Sequence, residues 1–302
     1  SFVRGRPANV TDIEFGPDGA MYFVTGGRGT QSALYRVRYT GPTVQPPALT
    51  QQQRERRRHA VSARKRRRNL EAFHGRADPD AIATAWPKLG SHDPWIRHAA
   101  RVAVEWQPIS KWQQRAIAEQ REWAALNSLL ALVRVGPTNG HASIIQRLNA
   151  LSFERLSKRQ KLAAIFVYER CLTTAAGLNK FQKSISSQLD SQYPDHSSEL
   201  NRRLSVLLER LDVPRFVERT IPLLQQAESQ QERMHYLFVL RNVKTGWTPA
   251  SRRTYFENLR RFDEFVGGDG MPTFRRLIET EALASLSASE RKPYEELLRA
   301  TA

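Results

Sequence analysis

Between Asp78 and Trp106 the chain reads DPDAIATAWPKLGSHDPWIRHAARVAVEW. Two Asp-Pro pairs, Asp78-Pro79 and Asp93-Pro94, punctuate it. An aspartate at an N-cap accepts the orphan N–H groups of the first helical turn, and a proline at the next position loses no donor that the helix needs. The spacing therefore predicts two short helices, each opened by an Asp-Pro pair. On the second, Ile96, Ala99, Ala100, Ala103 and Trp106 fall on one face, leaving Arg97, His98, Arg101 and Glu105 mostly outside it. Alanines on the apolar face let a neighbouring helix come close. This is the pattern of a helical repeat, and it carries architecture rather than chemistry.

Working outward, everything after about Gln52 has helical periodicity. Helices are predicted near 52–74, 79–89, 94–106, 109–120, 122–135, 140–151, 158–175, 178–190, 198–211, 214–227, 230–243, 249–263, 272–285 and 288–299. Ser157 with Gln160, Ser229 with Glu232 and Ser287 with Glu290 fit capping boxes, and Thr248-Pro249 repeats the cap-then-proline opening. Apolar stripes are plain, as in Leu200, Leu204, Leu207, Leu208 and Leu211. Short connections make successive helices antiparallel neighbours, so the fold class expected is mainly α: an α-solenoid of HEAT-like helix pairs over residues 52–302. The longest breaks, at Gly136–Gly140, Tyr193–Ser197 and Gly267–Gly270, interrupt its regularity.

Residues 1–41 read differently. Asp12 to Phe15 alternates as a strand, Gly16-Pro17-Asp18-Gly19 is a turn, and Ala20–Thr25 and Leu34–Tyr39 give two further strands. Three short antiparallel strands cannot stand alone, which suits a remnant of a β-propeller blade. A Pro-rich linker over 42–51 joins the two parts. The sequence is expected to be a piece of a longer protein, since it opens in mid-strand.

The composition narrows the chemistry. Hydrophobic residues make up 40% and charged ones 25%, enough to bury a core, and no apolar run reaches the length of a membrane span. The single cysteine, Cys171, excludes an intrachain disulfide, a thiolate zinc site and a Cys-x-x-Cys-His haem attachment within these residues, and it reads as a small semi-buried side chain. The seven histidines have no metal-ligand spacing; His235 is expected to pack or hydrogen-bond inside the helix stack. The six tryptophans are expected in the core. The loop Thr25–Gln31 (TGGRGTQ) lacks the strand-to-helix context of a dinucleotide fingerprint, although a ligand could touch Arg28 there.

The formal net charge is +17, and RERRRHAVSARKRRR (Arg54–Arg68) supplies much of it. Arg54, Arg57, Arg58, Arg64, Lys65 and Arg68 are the candidate contacts for an anionic partner. On the sequence reading they do not collect on one narrow face, and the run has no aromatics for base stacking. Its bland reading is a solvated first helix whose long side chains cover the open end of the solenoid.

The block RNLEAFHGRADPDAIATAWPKLGSHDPWIRHAARVAVEWQP (Arg68–Pro108), with WAALNSLLALVRVG (Trp123–Gly136), resembles the HEAT-type segment of a bacterial family of large exported proteins. These are described as PVC-type haem-binding or membrane-bound dehydrogenase-type proteins. QQERMHYLFVLRNVKTGWTPASRRTYFENL (Gln230–Leu259), with Gly267-Gly268 and FRRLIETEALASL (Phe274–Leu286), is similar to the part preceding that family's C-terminal domain. IEFGPDGAMYFVTGGRG (Ile13–Gly29) looks like the closing blade of a sorbosone or soluble glucose dehydrogenase-type propeller.

The resemblance implies a parent protein whose propeller carries a quinone cofactor, such as pyrroloquinoline quinone, or a sugar-oxidising site. A downstream cytochrome c domain would carry haem c. It implies an exported, periplasmic location and, for this segment, a non-catalytic scaffold whose partners are other domains of the same polypeptide or another protein. No catalytic, cofactor-binding or metal-binding residue carries over, because the motifs concerned are not in this chain. Two alternatives stand beside it: a HEAT-repeat protein that binds nucleic acid through its basic surface, and an oxidoreductase activity residing in the propeller part of the parent.

Overall fold

Gly16-Pro17-Asp18-Gly19 reverses the chain because Gly19 takes a left-handed φ of +73°, and the turn closes through Gly19 N–H to Gly16 O at 3.0 Å. The computed structural model describes residues 4, 9–27, 30–42, 48–173, 175–268 and 270–299, and for Thr30 and residues 175–178 the backbone only. The chain divides into two compact units, Ser1–Arg58 and His59–Ala302, with the division falling inside the first helix rather than in the linker.

The first unit holds an antiparallel sheet of strands β1 (Val10–Phe15), β2 (Met21–Gly27) and β3 (Thr30–Val37) in the order β1-β2-β3. Ile13 sits opposite Phe23 and Phe23 opposite Tyr35, which puts the three on one face, and the Phe23 and Tyr35 rings stack at 4.8 Å. On the other face the Arg36 guanidinium and the Tyr22 hydroxyl both reach the Asp18 carboxylate, at 2.5 and 3.0 Å. These contacts hold the Asp18 carboxyl down at about 2, led by the bond from Arg36.

Fourteen α-helices follow among the described residues: α1 (Gln51–Glu71), α2 (Ala81–Ala85), α3 (Pro94–Glu105), α4 (Gln113–Ala118), α5 (Glu122–Val135), α6 (His141–Asn149), α7 (Lys158–Cys171), α8 (Ala175–Leu189), α9 (Ser198–Arg210), α10 (Phe216–Gln226), α11 (Gln230–Leu240), α12 (Pro249–Arg260), α13 (Met271–Ala284) and α14 (Ala288–Arg299). Each corresponds to a helix expected from periodicity. Packing is local throughout. α3, α5, α7, α9 and α11 each lie against the next of that row, while α4, α6 and α8, and then α10, α12 and α14, do the same in a second row. The rows are stitched by contacts such as α4 with α5, α6 with α7, and α10 with α11. Every extensive helix–helix contact joins elements one or two helices apart, so the second unit is an α-solenoid.

The core runs continuously from Leu70 through Leu129, Ile165, Leu204 and Phe256 to Leu298. Caps fix where the helices begin. Asp93 accepts from the N–H groups of Trp95 and Ile96, at 2.9 and 3.3 Å, as its Asp-Pro pair predicts. Asp78 does not cap: its carboxylate accepts from Asp80 N–H at 3.0 Å, and α2 starts only at Ala81, without a side-chain cap. An aspartate can satisfy a turn two residues on just as well as a helix end. Ser157 and Gln160 complete a capping box, as do Thr248 and Ser251, whereas Ser229 supplies only the forward half, accepting from Glu232 N–H.

The face of α3 is also redrawn. Ile96, Ala99, Ala100 and Ala103 are buried as expected, but Trp106 is 52% exposed, while Arg97 and Arg101 are buried.

Candidate functional site

Arg54, Arg57, Arg58, Arg64, Lys65 and Arg68 all lie on α1, which is solvent-exposed along most of its length. At roughly 100° per residue the six fall within about 120° of arc, a stripe some 21 Å long. That arc is a third of the helix circumference, and Arg56, Arg66 and Arg67 lie outside it, so cations face most of the way round α1. Ala63, Arg67 and Leu70, the residues of α1 that are covered, lie on the opposite side. None of the six stripe cations has a carboxylate at ion-pair distance among the described residues; Arg54 donates to Leu49 O at 2.5 Å, and the nearby Arg67, off the stripe, pairs with Glu71 at 3.0 Å. These cations leave the exposed surface of α1 positively charged.

Inside the solenoid, polar side chains tie one helix to the next. Glu119 accepts from the Trp86 indole at 2.8 Å and pairs with Arg121 at 2.8 Å, and these bonds lower its carboxyl to about 2, with Arg121 the larger cause. Arg147 donates twice to Glu119 O. Gln160 reaches Glu122 at 2.8 Å, Tyr168 reaches Asn149 at 2.7 Å, Arg219 pairs with Asp190 at 2.5 Å, and Arg241 with Glu281 at 2.6 Å. Arg101 pairs with Glu105, which Arg134 also reaches at 3.0 Å, and donates to His98 Nδ1 at 3.2 Å. Arg97 donates to Ser91 O and His92 O and stacks 3.8 Å over Trp123. Periodicity alone missed both arginines. Arg97 is received by carbonyls ahead of α3 and by the Trp123 ring, which no pattern within α3 announces, whereas Arg101 pairs inside α3 with Glu105 and His98 at helical spacing.

The other sequence candidates become structural residues. Cys171 is fully buried, and burial pushes its thiol up to about 12, which makes it inert. His235 shares a 3.0 Å hydrogen bond between its Nε2 and Ser205 Oγ and is held neutral by burial, its pKa down to about 4. That contact resembles a nucleophile–base pair, but Ser205 is wholly covered and is also bonded to Arg202 O, so nothing can reach its oxygen. No group of three or more His, Cys, Asp or Glu side chains able to hold a metal occurs among the described residues. Trp86 and Trp112 are in the core, whereas Trp95 and Trp106 are exposed, against expectation. The candidate ligand contact Arg28 lies outside the described residues.

A c-type haem does not fit these residues: its two thioether bonds need two reactive cysteines, and the chain has one, buried and protonated. No described helix is long and apolar enough to cross a membrane. No family model, curated protein or solved structure matches the chain.

Proposed function

We propose that the helical unit is a non-catalytic scaffold and docking segment of a larger exported redox protein, holding domains or a protein partner at fixed spacing. The observation that carries this reading is where the interior polar groups are committed. Glu119, Arg147, Gln160, Tyr168, Arg219 and Arg241 each bond across to a neighbouring helix or turn, which fixes local curvature instead of presenting groups to a substrate. On this reading pyrroloquinoline quinone or haem c belongs to other domains of the parent, which works in the periplasm. The full chain, assayed for dye reduction with aldose sugars with and without added quinone, is expected to be inactive. Turnover by the chain overturns the scaffold reading.

A second reading is favoured by the cationic stripe: a helical-repeat protein that binds nucleic acid. Duplex DNA tested at 50 and 200 mM salt distinguishes the two. Under this reading affinity falls steeply with salt, and replacing the six stripe residues with glutamine flattens the slope by up to about five. Equal, weak binding by both proteins at both salts removes it.

A further inference from the structure

The turn after α11 and the helices α12 and α14 enclose a groove of about 830 Å³, within the range of small-molecule sites. Its apolar walls include Trp247, Tyr294 and Leu297. They are held before any ligand arrives. Gly246 adopts φ +79°, turning the chain so that Trp247 comes next, and the Trp247 indole N–H donates to Val243 O at 2.8 Å. Trp247 then meets Tyr255 edge-on at 5.5 Å, Tyr255 meets Phe256 edge-on at 5.3 Å, and Phe256 stacks on Tyr294 at 4.4 Å. An aromatic chain of this kind fixes both walls through the core.

Cations outnumber acids among the lining residues: Lys244, Arg252 and Arg253 against Glu290. Arg252, on the first turn of α12, lies 4.3 Å over the Trp247 ring and donates from Nη1 to Ser285 Oγ at 3.3 Å. It has no carboxylate at ion-pair distance among the described residues, although it is partly buried and burial weakens its hold on its proton. Arg253, by contrast, pairs with Glu257 at 2.8 Å. Glu290, the acid among the described lining residues, accepts from the Ser287 N–H and hydroxyl at 3.1 and 2.5 Å and acts on Arg252 only from beyond ion-pair distance. Lys244 at the rim adds a further cation. A partly covered guanidinium 4.3 Å over an indole, with no carboxylate at ion-pair distance among the described residues, is arranged to receive an anion.

We propose that this groove binds a small organic carboxylate carried on an aromatic or aliphatic body, the acid pairing with Arg252 and the body lying between Trp247 and Tyr294. The site is independent of the scaffold reading and of the α1 stripe.

The test is calorimetric titration of the full chain with 4-phenylbutyrate and with its neutral amide. The acid is expected to bind saturably at one site and the amide about tenfold more weakly. Arg252→Gln should weaken the acid by about tenfold and leave the amide unchanged. Leu297→Trp, which fills the groove without touching the arginine, should abolish both, and it decides the matter should Arg252→Gln misfold. Neutralising the α1 stripe should change nothing. The proposal is overturned by equal binding of acid and amide, by acid binding that survives Arg252→Gln in a folded protein, by binding that disappears with the α1 stripe, or by no saturation of the acid at millimolar concentration.

Discussion

Phe15 and Leu34 in the sheet are 67% and 68% exposed, whereas Leu129 and Leu204 in the solenoid are covered almost completely. The residues are of one kind; the architecture treats them oppositely. A helix in the solenoid has a neighbour ahead and a neighbour behind, so its apolar face is always met by another. The sheet has three strands and two unpaired edges among the described residues, and Ile13, Phe15 and Tyr35 on one face stay open with Leu34 on the other. The first unit therefore leaves apolar side chains open among the described residues, while the second covers its own repeat by repeat.

The largest expected effect tests the self-sufficiency of the stack. Trp86→Ala removes a fully buried ring and its bond to Glu119, and should cost about 3–5 kcal/mol in denaturant unfolding followed by helical circular dichroism. A loss below about 1 kcal/mol would mean that the core is looser than the sheet comparison requires.

Acid should then separate His235 from the surface histidines. Burial depresses its pKa from 6.5 to about 4, so the unfolded chain takes up a proton that the folded chain refuses. Stability present above pH 6.5 is lost as pH falls toward 4, by roughly 1–3 kcal/mol. His235→Gln should flatten the profile over that window. A profile unchanged by the substitution would place the loss elsewhere.

Next come the two Asp-Pro pairs. Asp93→Ala removes a true helix cap and should cost about 1 kcal/mol, whereas Asp78→Ala removes a turn contact and a half-exposed ion pair with Arg76 and should cost under about 0.5 kcal/mol. Equal losses would contradict the difference between the two starts.

The smallest effect on stability belongs to the sheet. Ile13→Thr, Phe15→Ser and Leu34→Thr together should leave the helical signal and its unfolding midpoint nearly unchanged, yet shift size-exclusion elution toward the monomer. Identical elution of both proteins as clean monomers would show that the open face does not promote association.

Much of this was legible without coordinates. Periodicity placed all fourteen helices and three strands, because an apolar stripe repeats at the period of the element that buries it. Ser157-x-x-Gln160 announced its capping box, since both partners lie within one turn. The α1 stripe was available too: positions 54, 57, 58, 64, 65 and 68 already carry the helical period. Asp78 was misread because two local hydrogen-bond solutions compete for the same carboxylate, and sequence does not rank them.

What the sequence determined by itself was the local order: element type, element sequence and charge, all set by interactions within a few residues, while limits such as the start of α2 were not. What only the tertiary structure decided was every relation across helices. Arg97 is buried because Ser91 O, His92 O and the Trp123 ring receive it, and Arg252 lies over the Trp247 ring with a bond to Ser285 Oγ, 33 residues on. Such partners stand tens of residues away or belong to the backbone, so their meeting depends on how helices stack, which no spacing along one helix encodes.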